Sequence, residues 1–324
     1  MAGRDHSVFY CRVCAGNEKG SIHEAREMMF GLRTKFHYAE CSGCGSLSLV
    51  DPPTDYSIYY SSAYYSFSRV GGTKESIKDF LRAKRDAAYF DGGGFLGRFL
   101  ARHFEDGALL SVSKLSLPRD ARILDVGCGS GKLLGRMSLL GFTNLSGLDP
   151  FLSEEIRNGD GIKIRNAYLE DVSDEKYDLV MFHHSLEHVE DPRHTLLCAG
   201  RLLKEHGICL VRLPVLGHAW EQYGTNWVQL SPPRHLWIPT EKAMVRLAES
   251  AGFKIETVEY DSTPLQFWGS ELCQRDVPLN TVDRLNVRGL LGIRKIRELS
   301  KRAQGLNLHR RGDQAAFHLR AQHG

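Results

Sequence analysis

Past Pro118 the apolar positions of this chain fall into short unbroken runs separated by stretches of helical periodicity. Arg122–Val126, Leu145–Leu148, Ile162–Ala167, Tyr177–Phe182, Ile208–Leu213, Phe253–Tyr260 and Gln314–Leu319 read as seven strands. Short strands of this kind, alternating with helices, belong to a mostly parallel sheet covered on both faces. Lys132–Leu140 reads as a helix ending at Gly141. A second helix opens at Asp191-Pro192, with a capping acid and a proline in its first turn, and runs to about Glu205 before stopping at Gly207. Thr240 caps a third, which ends near Gly252. The alternation predicts an α/β fold: a doubly wound, Rossmann-like, mostly parallel seven-stranded sheet with helices on both faces.

Upstream the rhythm differs. Ser76 to Phe104 predicts two helices broken at Gly92–Gly94, with Ile77, Phe80, Leu81, Ala88, Phe95 and Phe99 at helical spacing. Before them come two cysteine pairs, Cys11-x-x-Cys14 and Cys41-x-x-Cys44, with Gly16 and Gly45 just behind for tight turns. Thiolates so spaced can converge on one tetrahedral zinc. Ile22 to Tyr38, between the pairs, is too short and polar to build a core, so a structural zinc would supply the missing stability. The expected organisation is a zinc ribbon over 1–53, closed by Asp51-Pro52-Pro53, then a tyrosine-rich linker with helices over 54–117. A cofactor domain over 118–324 follows, with an insertion at about 264–312. Cys128, Cys198, Cys209 and Cys273 show no ligand spacing and read as buried thiols.

Charge adds little. The formal net charge is +3, although from Arg275 to Arg311 ten basic residues face three acidic ones. Arg284–Arg302 reads as an amphipathic helix with Leu291, Ile293, Ile296 and Leu299 on its apolar side and a solvated basic face. No apolar run approaches the ~20 residues of a membrane span, and the start lacks the apolar core of a signal peptide. A cytoplasmic protein is expected.

The chemistry concentrates after the first strand of the sheet, in Asp125-Val-Gly127-Cys-Gly129-Ser-Gly131. Alternate glycines let the backbone turn sharply against a ligand, and the next helix presents its free amides there. The second strand ends in Asp149, where a carboxylate can accept both hydroxyls of an adenosine ribose. A dinucleotide fingerprint wants a glycine where Lys132 stands. Asp125 beside the loop would repel a pyrophosphate and suits a cationic ammonium or sulfonium ligand instead.

At these residues the chain resembles the class I S-adenosylmethionine methyltransferases. ILDVGCGSG resembles their first motif and GLDP the second. LEDVSDEKYDLVMFHHSLEHVEDP resembles the stretch through the fourth strand, and LLKEHGICLVRLP the fifth. The likeness covers roughly residues 120 to 260 plus the terminal DQAAFHLR. The paired cysteines and tyrosine-rich linker resemble a subgroup with an N-terminal zinc ribbon that modifies sugars, including C-methylation of nucleotide-linked deoxysugars. The resemblance implies S-adenosylmethionine as cofactor, with Asp125, Gly127 and Gly129 at its methionine end and Asp149 on its ribose. Leu169 and Glu170 would border the adenine, and His183 would lie under the cofactor.

Methyl transfer from a sulfonium is an in-line displacement that needs alignment, dryness and often a base. Histidines cluster where a base is needed: His183, His184 and His188 after the fourth strand, His218 and His235 after the fifth. His188 and His235 are the candidate catalytic residues. His184-Ser-Leu-Glu187-His188 also matches an inverted zinc-protease pattern, but that pattern needs a helix and here it straddles a strand end. Quinone-type O-methyltransferases resemble this stretch with an acid at the position of His184, where they hold a divalent metal; this chain departs from them there. The sugar C-methyltransferases place a glutamate–histidine pair at the positions of Arg234 and His235, so Arg234 is a second departure and leaves O-methylation at least as well supported.

Pro214–Thr240 is too long for a plain connection, and its Trp220, Tyr223, Trp227 and Trp237 suit a saccharide as well as they suit packing. Tyr59, Tyr60, Tyr64 and Tyr65 are candidates to close over the site from the ribbon side. The expected function is methylation of a small-molecule acceptor, a nucleotide-linked sugar or surface glycan. The alternatives are an RNA methyltransferase, which the modest net charge opposes, and a non-catalytic cofactor-binding scaffold.

Overall fold

A computed structural model describes residues 9–60, 76–152, 154–157, 162–173, 175–282 and 284–322. Tyr64 and Tyr65 lie outside the described residues. Twelve strands are present among those described: β1 Lys19–Arg26, β2 Lys35–Cys41, β3 Leu47–Leu49, β4 Arg122–Val126, β5 Asn144–Leu148, β6 Ile156–Arg157, β7 Lys163–Arg165, β8 Tyr177–His183, β9 Leu203–Pro214, β10 Trp237–Ile238, β11 Phe253–Tyr260 and β12 Gln314–Ala321. The helices are α1 Ile77–Asp91, α2 Phe95–His103, α3 Gly107–Ser113, α4 Lys132–Leu139, α5 Pro192–Leu202, α6 His218–Tyr223, α7 Glu241–Ser250, α8 Leu265–Gln274 and α9 Arg284–Leu308.

The large sheet has the order β11-β12-β9-β8-β4-β5-β7-β6. It is the expected Rossmann-like sheet of seven strands with one addition, the two-residue β6, which pairs antiparallel with the edge strand β7. The pairs β4–β5, β4–β8, β5–β7 and β8–β9 are parallel. By its contacts the chain divides into two units that are not contiguous in sequence. One comprises residues 1–60, 186–196 and 213–317; the other comprises 61–185, 197–212 and 318–324.

In the second unit, Ile123, Leu124, Leu179, Val180, Met181 and Leu210 are wholly buried along the central strands. Parallel strands covered on both faces tolerate no polar alternation, which is why these runs read so clearly. One boundary differs from expectation. The helix α5 ends at Leu202 rather than near Gly207, and Leu203 onward is already strand. Gly207 caps no helix: a Cβ there would sit 2.9 Å from the carbonyl oxygen of Tyr177, so the glycine permits β9 to pass close to β8. The break at Gly92–Gly94 separates α1 from α2 as the spacing predicted. Ile77, Phe80, Phe95 and Phe99, however, are exposed.

In the first unit, β1, β2, β3 and β10 form an antiparallel four-stranded sheet. Its last strand comes from the segment around Trp237, paired as Trp237 with Ser48 and Ile238 with Leu47. The ribbon's sheet is thus completed by residues almost two hundred positions downstream. Trp227 and Trp237 are buried, their indole N–H groups donating to Asp313 Oδ2 at 2.9 Å and the Val189 carbonyl at 3.1 Å. With Tyr223 also buried, Trp220 alone of these four aromatics is half-exposed. The basic helix α9 forms, with Leu299 buried but Ile293, directly after a kink at Gly292, exposed.

Candidate functional site

The parallel strands of the second unit end on one edge, and four predicted positions sit there. After β4 the chain turns through Gly127, whose φ of 74° lies in the left-handed region. Its amide donates to the Leu148 carbonyl at 2.7 Å, and a Cβ there would lie 2.4 Å from the Cβ of Ser185. Only glycine meets both demands. After β5, Asp149 accepts from the Gly129 amide at 2.8 Å through Oδ2 and from the Phe151 amide at 3.0 Å through Oδ1. The glycine loop and Asp149 are therefore one bonded assembly. After β7, Leu169 is buried and Glu170 exposed in a short turn. After β8, His183 is half-buried, with neither ring nitrogen hydrogen-bonded. Burial, aided by Arg212 and His184, pushes its pKa down to about 3, so it stands neutral.

Asp125 lies buried at the end of β4. Burial, with the charge of Asp149 nearby, pushes its carboxyl up to about 8. A positive charge placed beside Asp125 would favour its ionised form. A sulfonium or an ammonium would supply it. The residues present fit S-adenosylmethionine.

The first unit holds two clusters. Cys11 Sγ lies 3.6 Å from Cys44 Sγ, and Cys14 Sγ lies 3.6 Å from Cys41 Sγ. All four sulfurs fall within 4.8 Å of one another. Zinc–sulfur bonds of about 2.3 Å in a tetrahedron require sulfurs about 3.8 Å apart, so the donor set fits zinc. Two matching turns carry it: the Ala15 amide donates to the Cys11 carbonyl at 2.9 Å, and the Gly45 amide to the Cys41 carbonyl at 2.7 Å. The left-handed residue of the first turn is Ala15 (φ 59°), not Gly16. As thiols Cys11 and Cys44 compete for a proton: the hydrogen bond with Cys44 raises Cys11, and its counterpart with Cys11 lowers Cys44 to about 4. A dication would hold all four as thiolates.

The second cluster is Glu187, His188 and His235, whose ligand-type atoms lie within 4.8 Å of one another. His188 Nδ1 is 2.7 Å from the Arg234 carbonyl, and His235 Nδ1 is 2.7 Å from the Gln229 carbonyl. A carbonyl only accepts, so both Nδ1 atoms carry protons and both neutral rings keep their lone pair on Nε2. Tyr60 places its hydroxyl oxygen 3.1 Å from the same Nδ1 of His188. The rings of His188 and His235 meet edge to face at 5.0 Å. Glu187 is fully buried, with Oε1 3.9 Å from His235 Nε2. Arg234 is buried too, 3.8 Å from the buried Glu27, whose carboxylate accepts the amides of Met29, Phe30 and Leu32. Arg234 therefore braces the loop before β2, and the acid beside His235 is Glu187. That pairing was missed in the sequence because the two residues are far apart along the chain; an acid next to His188 just past a strand end was the available signal.

The ribbon's sheet holds His235 in place. Tyr38 donates its hydroxyl to the His235 carbonyl at 2.7 Å, and the Leu49 amide donates to the Leu236 carbonyl at 2.8 Å.

Residues 98–258 match the family model described as a methyltransferase domain. The chain carries an S-adenosylmethionine-dependent methyltransferase domain. Curated relatives include ubiquinone biosynthesis O-methyltransferases of Azorhizobium caulinodans and Rickettsia bellii. The first is 27% identical over 49% of this chain and 70% of that protein. The second is 23% identical over 43% of this chain and 64% of that protein. Among solved structures, the cyclopropane synthase MmaA2 from Mycobacterium tuberculosis matches with 17% identity and a TM-score of 0.42 over 65% of this chain and 81% of its own. A methyltransferase from Mesorhizobium loti matches with 20% identity and a TM-score of 0.43 over 66% of this chain and 97% of its own. The glycine loop and Asp149 lie within the matched residues.

Proposed function

We propose that this chain methylates a small-molecule acceptor, a nucleotide-linked sugar or surface glycan, at oxygen or carbon, with Glu187 and His235 as the proton-accepting pair. The observation that carries the reading is the buried Glu187 carboxylate 3.9 Å from His235 Nε2, in a ring whose other nitrogen is tied to a carbonyl. That couple supplies the acid which Arg234 displaces from the pattern of the sugar C-methyltransferases. The cofactor supplies an electrophilic methyl carbon on a sulfonium. In the proposed chemistry Asp125, Gly127, Gly129 and Asp149 bind the methionine end and ribose, Leu169 and Glu170 border the adenine, and His183 offers a neutral ring beneath. His235 Nε2 takes the acceptor's proton, and Glu187 stabilises the imidazolium that results. His188, five residues past the end of β8, is the second candidate base. The curated relatives are named for O-methylation in ubiquinone biosynthesis, which supports a small-molecule acceptor and not a sugar in particular.

The cysteine module, residues 1–53, is proposed as a structural zinc ribbon ahead of a linker over 54–117 and the cofactor domain over 118–324. A second reading of the Glu187–His188–His235 cluster is a divalent metal site, favoured by two histidines whose Nδ1 atoms are both tied to carbonyls. Elemental analysis separates the readings: one zinc per chain supports the ribbon alone, and a second divalent ion lost on His235→Ala supports the metal centre. The acceptor is tested with labelled cofactor and a panel of nucleotide-linked deoxysugars, oligosaccharides, quinols and RNA. Label on a sugar is expected; label on the quinol or RNA alone overturns the sugar assignment.

A further inference from the structure

Helices α1 and α2 are packed inside out for a water-facing hairpin. Their contact is made by small residues and backbone: a Cβ on Gly97 would lie 2.5 Å from the Lys84 carbonyl oxygen and 3.3 Å from the Ala88 Cβ. The large apolar side chains stand away from that contact. Phe95 is 82% and Ile77 79% exposed, and Phe80, Leu96, Phe99 and Phe104 are exposed as well. At about 100° per residue, Phe95 and Phe99 lie roughly 160° around α2 from Gly97, opposite the packed side. Arg98 and Arg102 flank them on one edge, and His103 stacks on Phe99 with ring centroids 4.6 Å apart. The helix FLGRFLARH contains no acid. No helix among the described residues is long and apolar enough to cross a membrane.

We propose that α2, with the first turns of α1, docks this chain on an anionic lipid surface. The aromatic pair would enter the headgroup–acyl boundary while Arg98 and Arg102 meet lipid phosphates. Charge selects this occupant over a second copy of the chain, since apposing two α2 faces would bring four guanidinium groups together with no acid from either helix. The proposal is independent of the acceptor: it concerns where the enzyme works.

The test uses the full chain and sedimentation with vesicles of phosphatidylglycerol mixed with phosphatidylcholine, or of phosphatidylcholine alone. Binding is expected on the mixed vesicles, weaker on phosphatidylcholine, and reversed by salt. Arg98→Glu with Arg102→Glu should lower partitioning about tenfold or more, as two reversed charges near the surface would. Phe95→Ser with Phe99→Ser should do the same. Both pairs are exposed, so the thermal midpoint should hold; the arginine pair alone decides if the phenylalanine pair unfolds. Failure of the wild type to sediment with anionic vesicles overturns the proposal. So does unchanged partitioning of both variants, or a concentration-dependent dimer abolished by the phenylalanine changes with lipid binding intact.

Discussion

The cofactor edge and the histidine cluster solve the problem of placing chemistry in opposite ways. At the edge, backbone does most of the work: Gly127 turns at positive φ, its amide and that of Gly129 are fixed, and Asp149 is bonded to the loop it serves. Everything needed lies at the ends of adjacent parallel strands. In the cluster, side chains do the work: Tyr60, Glu187, His188 and His235 come together, and the two histidines are oriented by carbonyls. A backbone-built site is rigid once the sheet forms. A side-chain-built site is only as good as the packing that aims each ring.

The contrast is tested hardest at His235. His235→Ala should lower the single-turnover rate by about 10²–10⁴ while cofactor affinity by calorimetry stays near wild type. Glu187→Gln should follow in the same direction with a smaller loss and a changed pH–rate limb. A fall in cofactor affinity in either variant would erase the division of labour, and undiminished turnover in both His235→Ala and His188→Ala would remove histidine base catalysis. The converse change, Asp149→Ala, should weaken S-adenosylmethionine binding by about 1.5–3 kcal/mol, some ten- to hundredfold, with turnover at saturating cofactor largely kept.

Cys41→Ser sharpens the comparison from a distance. It should remove the zinc and lower the thermal midpoint. Because Tyr38 and Leu49 of the same sheet grip the carbonyls of His235 and Leu236, it should also lower turnover more than cofactor affinity. Equal loss of both would mean that the ribbon supports the fold as a whole and not His235 in particular.

The smallest effect is one of pH. Asp125 holds its carboxyl up to about 8 against an ordinary value of 3.8, through burial and then Asp149. A raised folded pKa means that the cofactor-free fold loses stability as pH rises from about 4 through 8, because the ionised form is disfavoured. A bound cation favours that ionised form. Cofactor affinity should therefore rise with pH toward about 8, by no more than tenfold per unit for one proton, and Asp125→Asn should flatten the profile. A flat wild-type profile would show that the cation does not meet Asp125.

Much of this was open to reading because it is local. The strand Arg122–Val126 and the glycine loop behind it need only one stretch of chain, and the break at Gly92–Gly94 needs only three residues. Gly207 was misread because a glycine after a helical run suits a helix end and a close strand crossing equally well. The outward aromatics of α2 were open to reading as a stripe but not as an exposed one, since periodicity gives a face without saying what lies against it.

By itself the sequence determined the order of strands and helices, the glycine loop with its two acids, and the two cysteine pairs, because buried runs, positive-φ glycines and ligand spacing are all short-range constraints. Tertiary structure alone decided that Glu187 lies beside His235 and Arg234 beside Glu27. It also decided that Trp237 completes the ribbon's sheet while Trp227 is buried against Asp313. Those pairings join residues dozens to hundreds of positions apart, and no local preference records which distant segment a buried charge or ring will meet.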